Sequence, residues 1–428
     1  MYFRPLYRQL FERLSERPKR MQILAGPRQV GKTTLVRQLL AERPALSGRY
    51  VAADGPTRPF VSQTFPTSKA STAGTGIGAQ GRGEGRWLVD QWETATAEAT
   101  AWRNSGHPAA ETQPFVFAID EIQKVPHWSE IVKGLWDQQL ASDTSMHCVL
   151  LGSSPLLMQK GLSESLAGRY EVIPMTHWSF EEMNDGFNFT LEQYLYFGGF
   201  PGSASYVHDE ARWRSYIVQG LIEPNIERDI LMMTRVDKPG LLKQLFDVGC
   251  AYSSQIVSLD KTLGQLNDAG NVTTLARYLE LLGQAGLLTG LQKYSDRELR
   301  RRKSPPKFQV LNNALMSAKG THSFDEARAD RSHWGRLVES AIGAHLVNTA
   351  VGDTRIHYWR EGSLEIDFVI EHRGKLVAVE VKSGRANPIH RGLAEFSSAH
   401  DACPTLLVGS NELPIGEFLR YPAAHWFV

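Results

Sequence analysis

The sequence predicts a chain of α/β class in three parts: a parallel-sheet domain, an α-rich middle region and a second, smaller α/β domain. Three observations predict it. Apolar runs at 21–25, 115–119 and 147–151 read as buried strands with helical stretches between them, and strand alternating with helix implies a parallel sheet. Residues 185–240 read as mostly helical after a Gly-Gly-Phe-Pro-Gly break at 198–202, and 273–288 carry apolar residues at 275, 279, 282 and 287. From 333 onward a helix precedes strands at about 355–359, 365–370 and 376–382. Boundaries are expected at 1–184, 185–310 and 311–428, in keeping with 428 residues at roughly 100–200 per domain.

Composition excludes several classes. With 42% apolar and 22% charged residues, the chain is neither collagen-like, coiled-coil nor wholly disordered. Forty-seven Lys and Arg against 46 Asp and Glu give a formal charge of +1, so any nucleic-acid surface must be a local patch. Cys148, Cys250 and Cys403 form no CxxC pair, which argues against a disulfide framework or structural zinc and fits a reducing cytoplasm. The thirteen histidines show no HExxH spacing. The first twenty residues lack the apolar core of a secretory signal, and no segment reaches the roughly eighteen uninterrupted apolar residues of a span. A soluble, cytoplasmic protein without a membrane partner is expected.

Leu6, Leu10, Phe11 and Leu14 fall at helical spacing, MQILAG reads as a buried strand running into a glycine turn, and TTLVRQLLAE as the helix after it. Residues 50–54 look like a second strand. Residues 62–86, dominated by Ser, Thr, Gly and Ala, read as a mobile insertion. Gly76, Gly78 and Gly81 spell GxGxxG inside it, but without a preceding strand the dinucleotide-binding context is missing. Trp128, Trp136, Tyr194, Tyr196 and Phe197 are assigned to core packing.

Gly26-Pro27-Arg28-Gln29-Val30-Gly31-Lys32-Thr33 fits GxxxxGK[ST] and sits between an apolar strand and a helix start, with Thr34 completing the helix entry. Such a loop turns successive backbone N–H groups toward one phosphate; Lys32 reaches the terminal phosphates and Thr33 offers a hydroxyl to Mg²⁺. ATP and Mg²⁺ are the cofactors implied. The run Phe115–Ile119 delivers Asp120 to the edge where open α/β sheets bind ligands, as a Mg²⁺ ligand, and Glu121 beside it as general base. Ser153 or Ser154, after the strand at 147–151, is a candidate γ-phosphate contact, with a plain serine turn as the alternative. Arg169 and Arg228 are candidates for the cation that stabilises transferred charge, from the same subunit or a neighbour, with a structural ion pair as the alternative.

On GPRQVGKTTLVRQL, IDEIQKVPHWSEIVKGLWD, LLGSSPLLMQKGLSESLAGRYEV, YLYFGGFPG and IERDI, the chain resembles a bacterial AAA-type ATPase family nearly end to end. The resemblance implies an AAA-like P-loop domain with a Walker A loop, a Walker B strand and a sensor at Ser153 or Ser154. It also implies a C-terminal domain of unassigned function, a plan that archaeal relatives share with a restriction-nuclease-like end. An AAA resemblance raises the prospect of a homo-oligomer. The insertion at 62–86 departs from the family pattern and puts loop contacts in doubt.

In the C-terminal part, residues 365–370, a turn at 372–374 and residues 376–382 read as a β-hairpin with alternating faces, Val377, Val379 and Val381 on one and Glu380 and Lys382 on the other. Asp367 can meet Glu380 and Lys382, and Glu339 on RLVESAIGAHL can complete a cluster in which three carboxylates hold a divalent cation and Lys382 positions a water. The pattern resembles the PD-(D/E)XK nuclease fold, with Glu339, Asp367, Glu380 and Lys382 on matching positions. Between the sites, 258–288 resembles a helix-turn-helix of winged-helix type, followed at 293–307 by a candidate wing with seven basic residues against two acidic. The expected function is ATP hydrolysis coupled to a nuclease-like domain acting on DNA; the alternative is a nucleotide-dependent switch whose C-terminal domain binds a protein partner without cleavage.

Overall fold

The computed structural model describes residues 2–42, 47–54, 60–61, 84–111, 113–142, 145–152, 165–231, 236–264, 266, 271–295, 304–383, 391–409 and 411–427. The chain divides into two compact units, Met1–Met175 and Thr176–Val428.

In the first unit, β1 (Met21–Ala25), β2 (Gly48–Ala52), β3 (Phe60–Val61), β4 (Phe115–Asp120), β5 (Met146–Gly152) and β6 (Tyr170–Pro174) form a sheet. Among the described residues its order is β3-β2-β4-β5-β1-β6, parallel except where β2 meets β3. Parallel sheets are covered on both faces, which is why all of β4 and β5 is buried and reads as a continuous apolar run. Side chains alternate between two cores. Phe115, Phe117 and Ile119 pack with α3 (Glu84–Arg103) and α4 (Trp128–Ala141), where Trp92, Trp102, Trp128 and Trp136 are buried. Val116 and Ala118 pack with α1 (Leu6–Leu14) and α2 (Lys32–Glu42) through Leu10, Leu14, Leu35 and Leu39. Two expectations change here. The insertion cannot extend to 86, because α3 begins at Glu84; and α3 was not anticipated, because two of its inward positions are the small residues Ala95 and Ala99.

The second unit carries a mixed sheet of β7 (Leu288–Lys293), β8 (Lys307–Val310), β9 (Thr354–Glu361), β10 (Leu364–His372), β11 (Lys375–Val381) and β12 (Thr405–Val408). The order among the described residues is β12-β11-β10-β9-β7-β8. The sequence places a domain boundary near 310, yet β7 pairs in parallel with β9, at Gln292 with His357 and Lys293 with Tyr358. Middle region and C-terminal part thus share one sheet, because the open N–H and C=O groups of a strand edge are satisfied by pairing. The predicted hairpin turn forms with Arg373 at φ 51° and Gly374 at φ 77°, the left-handed pair a tight hairpin requires. The alternation in β10 is broken. A register shift between Ile366 and Val369 leaves Phe368, Val369 and Ile370 consecutively buried.

Before β7 come helices Pro239–Ala251, Leu259–Leu263 and Val272–Gln284, with Ile256 bridged antiparallel to Lys307. Tyr194, Tyr196 and Phe197 are buried, as are the free Cys148, Cys250 and Cys403. Among the described residues no helix is long and apolar enough to cross a membrane.

Candidate functional site

β1 ends at Ala25 and α2 begins at Lys32, so the intervening loop lies at the carboxyl edge of the parallel sheet. Gly26 is required there, since a Cβ at that position would lie 1.9 Å from the Met175 carbonyl oxygen. Gln29 at φ 62° and Gly31 at φ 91° turn the backbone into left-handed conformations, the local geometry that gathers N–H groups into an anion-binding concavity. Val30 is fully buried and its carbonyl accepts from Arg4 Nη1 at 3.0 Å, which ties the loop to the core. The buried ammonium of Lys32 spans the loop, donating to the carbonyls of Gly26 at 2.8 Å and Pro27 at 2.6 Å. Arg28 is half-buried and Gln29 exposed; Thr34 is exposed on the first turn of α2.

Thr33 and Asp120 meet although 87 residues apart: Thr33 Oγ1 donates to Asp120 Oδ2 at 2.6 Å. The same oxygen accepts from the hydroxyl of Tyr50 on β2 at 2.6 Å, and Asp120 Oδ1 accepts the Glu121 N–H at 2.9 Å. Burial, reinforced by Asp120, pushes the Tyr50 phenol well above the ordinary tyrosine range, so it remains a donor. Tyr50 is a site residue that sequence reasoning missed; nothing in its strand distinguishes it from a core tyrosine. Glu121 adopts φ 52°, ψ 35°, a conformation that costs a non-glycine residue about 1 kcal/mol or more and gathers at functional sites. Its carboxylate accepts from Gln123 Nε2 at 2.6 Å, and Lys124 pairs with Asp54. A hydroxyl and a carboxylate oxygen in contact are the hard donors that suit Mg²⁺, so Thr33 and Asp120 fit that ion.

Ser153 and Ser154 lie outside the described residues, as does the side chain of Arg228. Arg169 needs correction as a catalytic cation within its own chain. Its carbonyl accepts the Met21 N–H at 2.9 Å, which sets it at the amino end of β1, roughly 15 Å of strand from the phosphate loop. There Nε and Nη2 grip both oxygens of Asp137 at 2.8 and 2.9 Å, the structural ion pair that was the alternative.

The C-terminal residues also converge, but not as a metal cage. The helix Arg331–Thr349 approaches the sheet closely at Gly343, where a Cβ would lie 2.0 Å from Gln309 Oε1, and one turn earlier it presents Glu339. Asp367 sits in the irregular stretch of β10 and its Oδ2 accepts the Val381 N–H at 2.8 Å. Glu380 Oε1 accepts from Lys382 Nζ at 2.6 Å. Between Glu339 and Asp367 lies Lys307, 0% exposed, with Nζ 2.6 Å from Glu339 Oε1, 3.7 Å from Asp367 Oδ1 and 3.0 Å from the Asp367 carbonyl oxygen. Burial opposes its charge, but Glu339 and Asp367 hold Lys307 above the ordinary lysine range. Burial pushes Glu339 up to about 7 against the pull of Lys307, with Asp367 adding to the push. Among the described residues no group of three or more His, Cys, Asp or Glu is placed to hold a metal ion. Sequence reasoning counted Lys307 as the last residue of a candidate basic wing, with a solvated charged loop as the alternative; residues 296–303 of that run lie outside the described residues.

Residues 89–184 match the family described as an AAA domain, while 188–324 and 334–421 match two families described as domains of unknown function (DUF8612 and DUF4143). An uncharacterized protein of Haemophilus influenzae is 25% identical over 277 residues, 62% of this chain and 65% of its own. The uncharacterized protein Rv2008c of Mycobacterium tuberculosis is 24% identical over 286 residues, 65% of this chain and 61% of its own. The chain thus spans less than two thirds of the length of these relatives. AMPPCP-bound DnaA from Aquifex aeolicus is similar at 11% identity and a TM-score of 0.29, over 64% of this chain and 86% of that one. Drosophila ORC bound to DNA is similar at 13% and 0.28, over 76% and 94%. Scores this low bear on neither fold nor function. The parallel sheet, the phosphate loop and the family match together make the first unit an AAA-type P-loop fold.

Proposed function

We propose that this chain binds and hydrolyses Mg-ATP in its first unit and couples nucleotide state to a second unit that acts on DNA. The observation that carries the proposal is the contact of the Thr33 hydroxyl with the Asp120 carboxylate beside a loop whose glycine, lysine and left-handed positions suit a phosphate. Backbone N–H groups of the loop hold the phosphates and Lys32 neutralises them. Mg²⁺, when bound, supplies charge neutralisation at Thr33 and Asp120. Glu121, turned by its left-handed backbone and steadied by Gln123, orients the attacking water and takes its proton.

Lys32→Ala is expected to abolish ATP binding in calorimetry. Glu121→Gln should keep binding and lose turnover by about 100-fold or more, the usual contribution of a general base. Absence of ATP binding by the folded wild-type chain overturns the proposal; full turnover in Glu121→Gln moves the base elsewhere.

For the second unit, the succession of a helix, a bridge at Ile256, two further helices and the β7–β8 hairpin supports a winged-helix reading. Glu339 on a helix, Asp367 and Glu380 on two strands and Lys382 just after the second support a restriction-nuclease-like one. DNA-stimulated phosphate release, falling as salt is raised, is the expected outcome. A second reading, binding without cleavage, is favoured by the partners those carboxylates already have.

A further inference from the structure

We infer that Lys307 takes the place of a divalent cation in the C-terminal carboxylate centre, so that this unit holds its nucleic-acid ligand without metal-dependent cleavage. The inference rests on the nuclease-like reading of the second unit and says what became of that site.

The argument begins with the oxygens. A divalent cation needs several carboxylate or carbonyl oxygens at about 2.0–2.6 Å, aimed at one point. Here the point is taken. Glu339 Oε1 and the Asp367 carbonyl lie within hydrogen-bond reach of Lys307 Nζ, and Asp367 Oδ1 faces it at 3.7 Å. The other Asp367 oxygen is committed to the Val381 N–H, and Glu380 to Lys382. Each carboxylate a metal would need therefore already has an internal partner.

Lys307 is also built in rather than visiting. Its side chain is 0% exposed, its Nζ lies 4.6 Å from the centre of the Phe368 ring, and its backbone pairs with Leu291 on one side and Ile256 on the other. A buried ammonium persists only where anions compensate the lost hydration, and the carboxylates do that. The trade is mutual: an ion entering among these oxygens would meet the positive charge of Lys307. Since β8 belongs to the same sheet as β10, strand pairing fixes the backbone of Lys307 beside these oxygens.

The test titrates Mn²⁺ into the full chain without nucleotide and reads bound ion by electron paramagnetic resonance. Wild type and Asp367→Asn are expected to bind the same amount, because the centre contributes nothing. Lys307→Ala should gain one ion per chain, and the gain should vanish in Lys307→Ala/Asp367→Asn. Lys307→Gln, which keeps the length of the side chain, runs in parallel in case the alanine variant does not fold. A saturable ion in wild type that Asp367→Asn removes overturns the inference regardless of how the variants behave. So does a folded Lys307 variant that binds no additional ion. DNA binding measured on the same wild-type preparation separates the two claims: no binding sinks the DNA reading while the Mn²⁺ titration still decides Lys307.

Discussion

Replacing Tyr50 with phenylalanine removes one oxygen from the nucleotide site and nothing else. The ring keeps its buried place and the Arg37 guanidinium 4.7 Å from its centre. What disappears is the donor at 2.6 Å from Asp120 Oδ2, leaving that carboxylate with Thr33 and the Glu121 N–H. A hydrogen bond to a charged acceptor is worth about 1.5–3 kcal/mol net. At about 1.4 kcal/mol per factor of ten, that is roughly 10-fold to 100-fold in any equilibrium that depends on the carboxylate's orientation. If Asp120 holds Mg²⁺ and the loop holds phosphate, as proposed, the loss should fall on the metal. Phosphate release at saturating ATP, followed as Mg²⁺ is titrated, should show the half-saturating Mg²⁺ rising by that factor in Tyr50→Phe. ATP binding in excess chelator should stay within about twofold, because the loop contacts are untouched. A purely structural tyrosine would lower both together or neither. Unchanged Mg²⁺ dependence with unchanged turnover would refute the positioning role, and an equal loss of metal-free ATP binding would show that the loop had been disturbed instead.

Two further outcomes follow from the first unit. His147, 2% exposed, has its ring held by burial down to about 4 from 6.5, opposed by the Glu16 and Leu14 carbonyls. Its folded value is below its unfolded one, so stability is complete above pH 6.5 and is lost as pH falls toward about 4, by on the order of 3 kcal/mol. His147→Gln should flatten that window in urea titrations, and an unaltered acid limb would mean that other groups set it. Arg169→Ala should leave ATP turnover within about twofold, because the guanidinium is engaged by Asp137 at the far edge of the sheet. A large loss of turnover would place Arg169 in the site of a neighbouring copy.

Much of the first unit is legible in its sequence because parallel strands buried on both faces leave uninterrupted apolar runs: Phe115–Asp120 and Met146–Gly152 announce themselves. The phosphate loop is legible for a different reason. Its chemistry needs glycine at Gly26, where nothing larger fits, and lysine and threonine at fixed distances after it. Helix α3 is not legible, because alanines at 95 and 99 fill inward positions between Trp92 and Trp102, and alanine does not register as a hydrophobic stripe. Tyr50 is hidden likewise: a strand tyrosine reads as core, and only the parallel pairing of β2 with β4, Ala52 beside Asp120, brings its hydroxyl near the carboxylate.

The carboxylate centre shows where spelling and geometry part. Glu339, Asp367, Glu380 and Lys382 can be picked from a linear pattern because they fall on one helix and on or just after the strands of one hairpin. Lys307 cannot, since its partners lie 32 and 60 residues away and its own neighbourhood is rich in lysine and arginine. In a charged run the default is solvation, and the default fails here for a specific reason. The segment after Pro306 is not a loop but β8, which pairs with β7 and lies under the helix that carries Glu339. Every residue of that strand is buried, Lys307 among them, with Phe368 beneath its ammonium. Once buried, the charge has to be met by anions, and the carboxylates already gathered there meet it. The same four residues that spell a metal site therefore describe a charge-compensated, half-buried polar cluster as soon as a fifth, invisible in the motif, is placed among them.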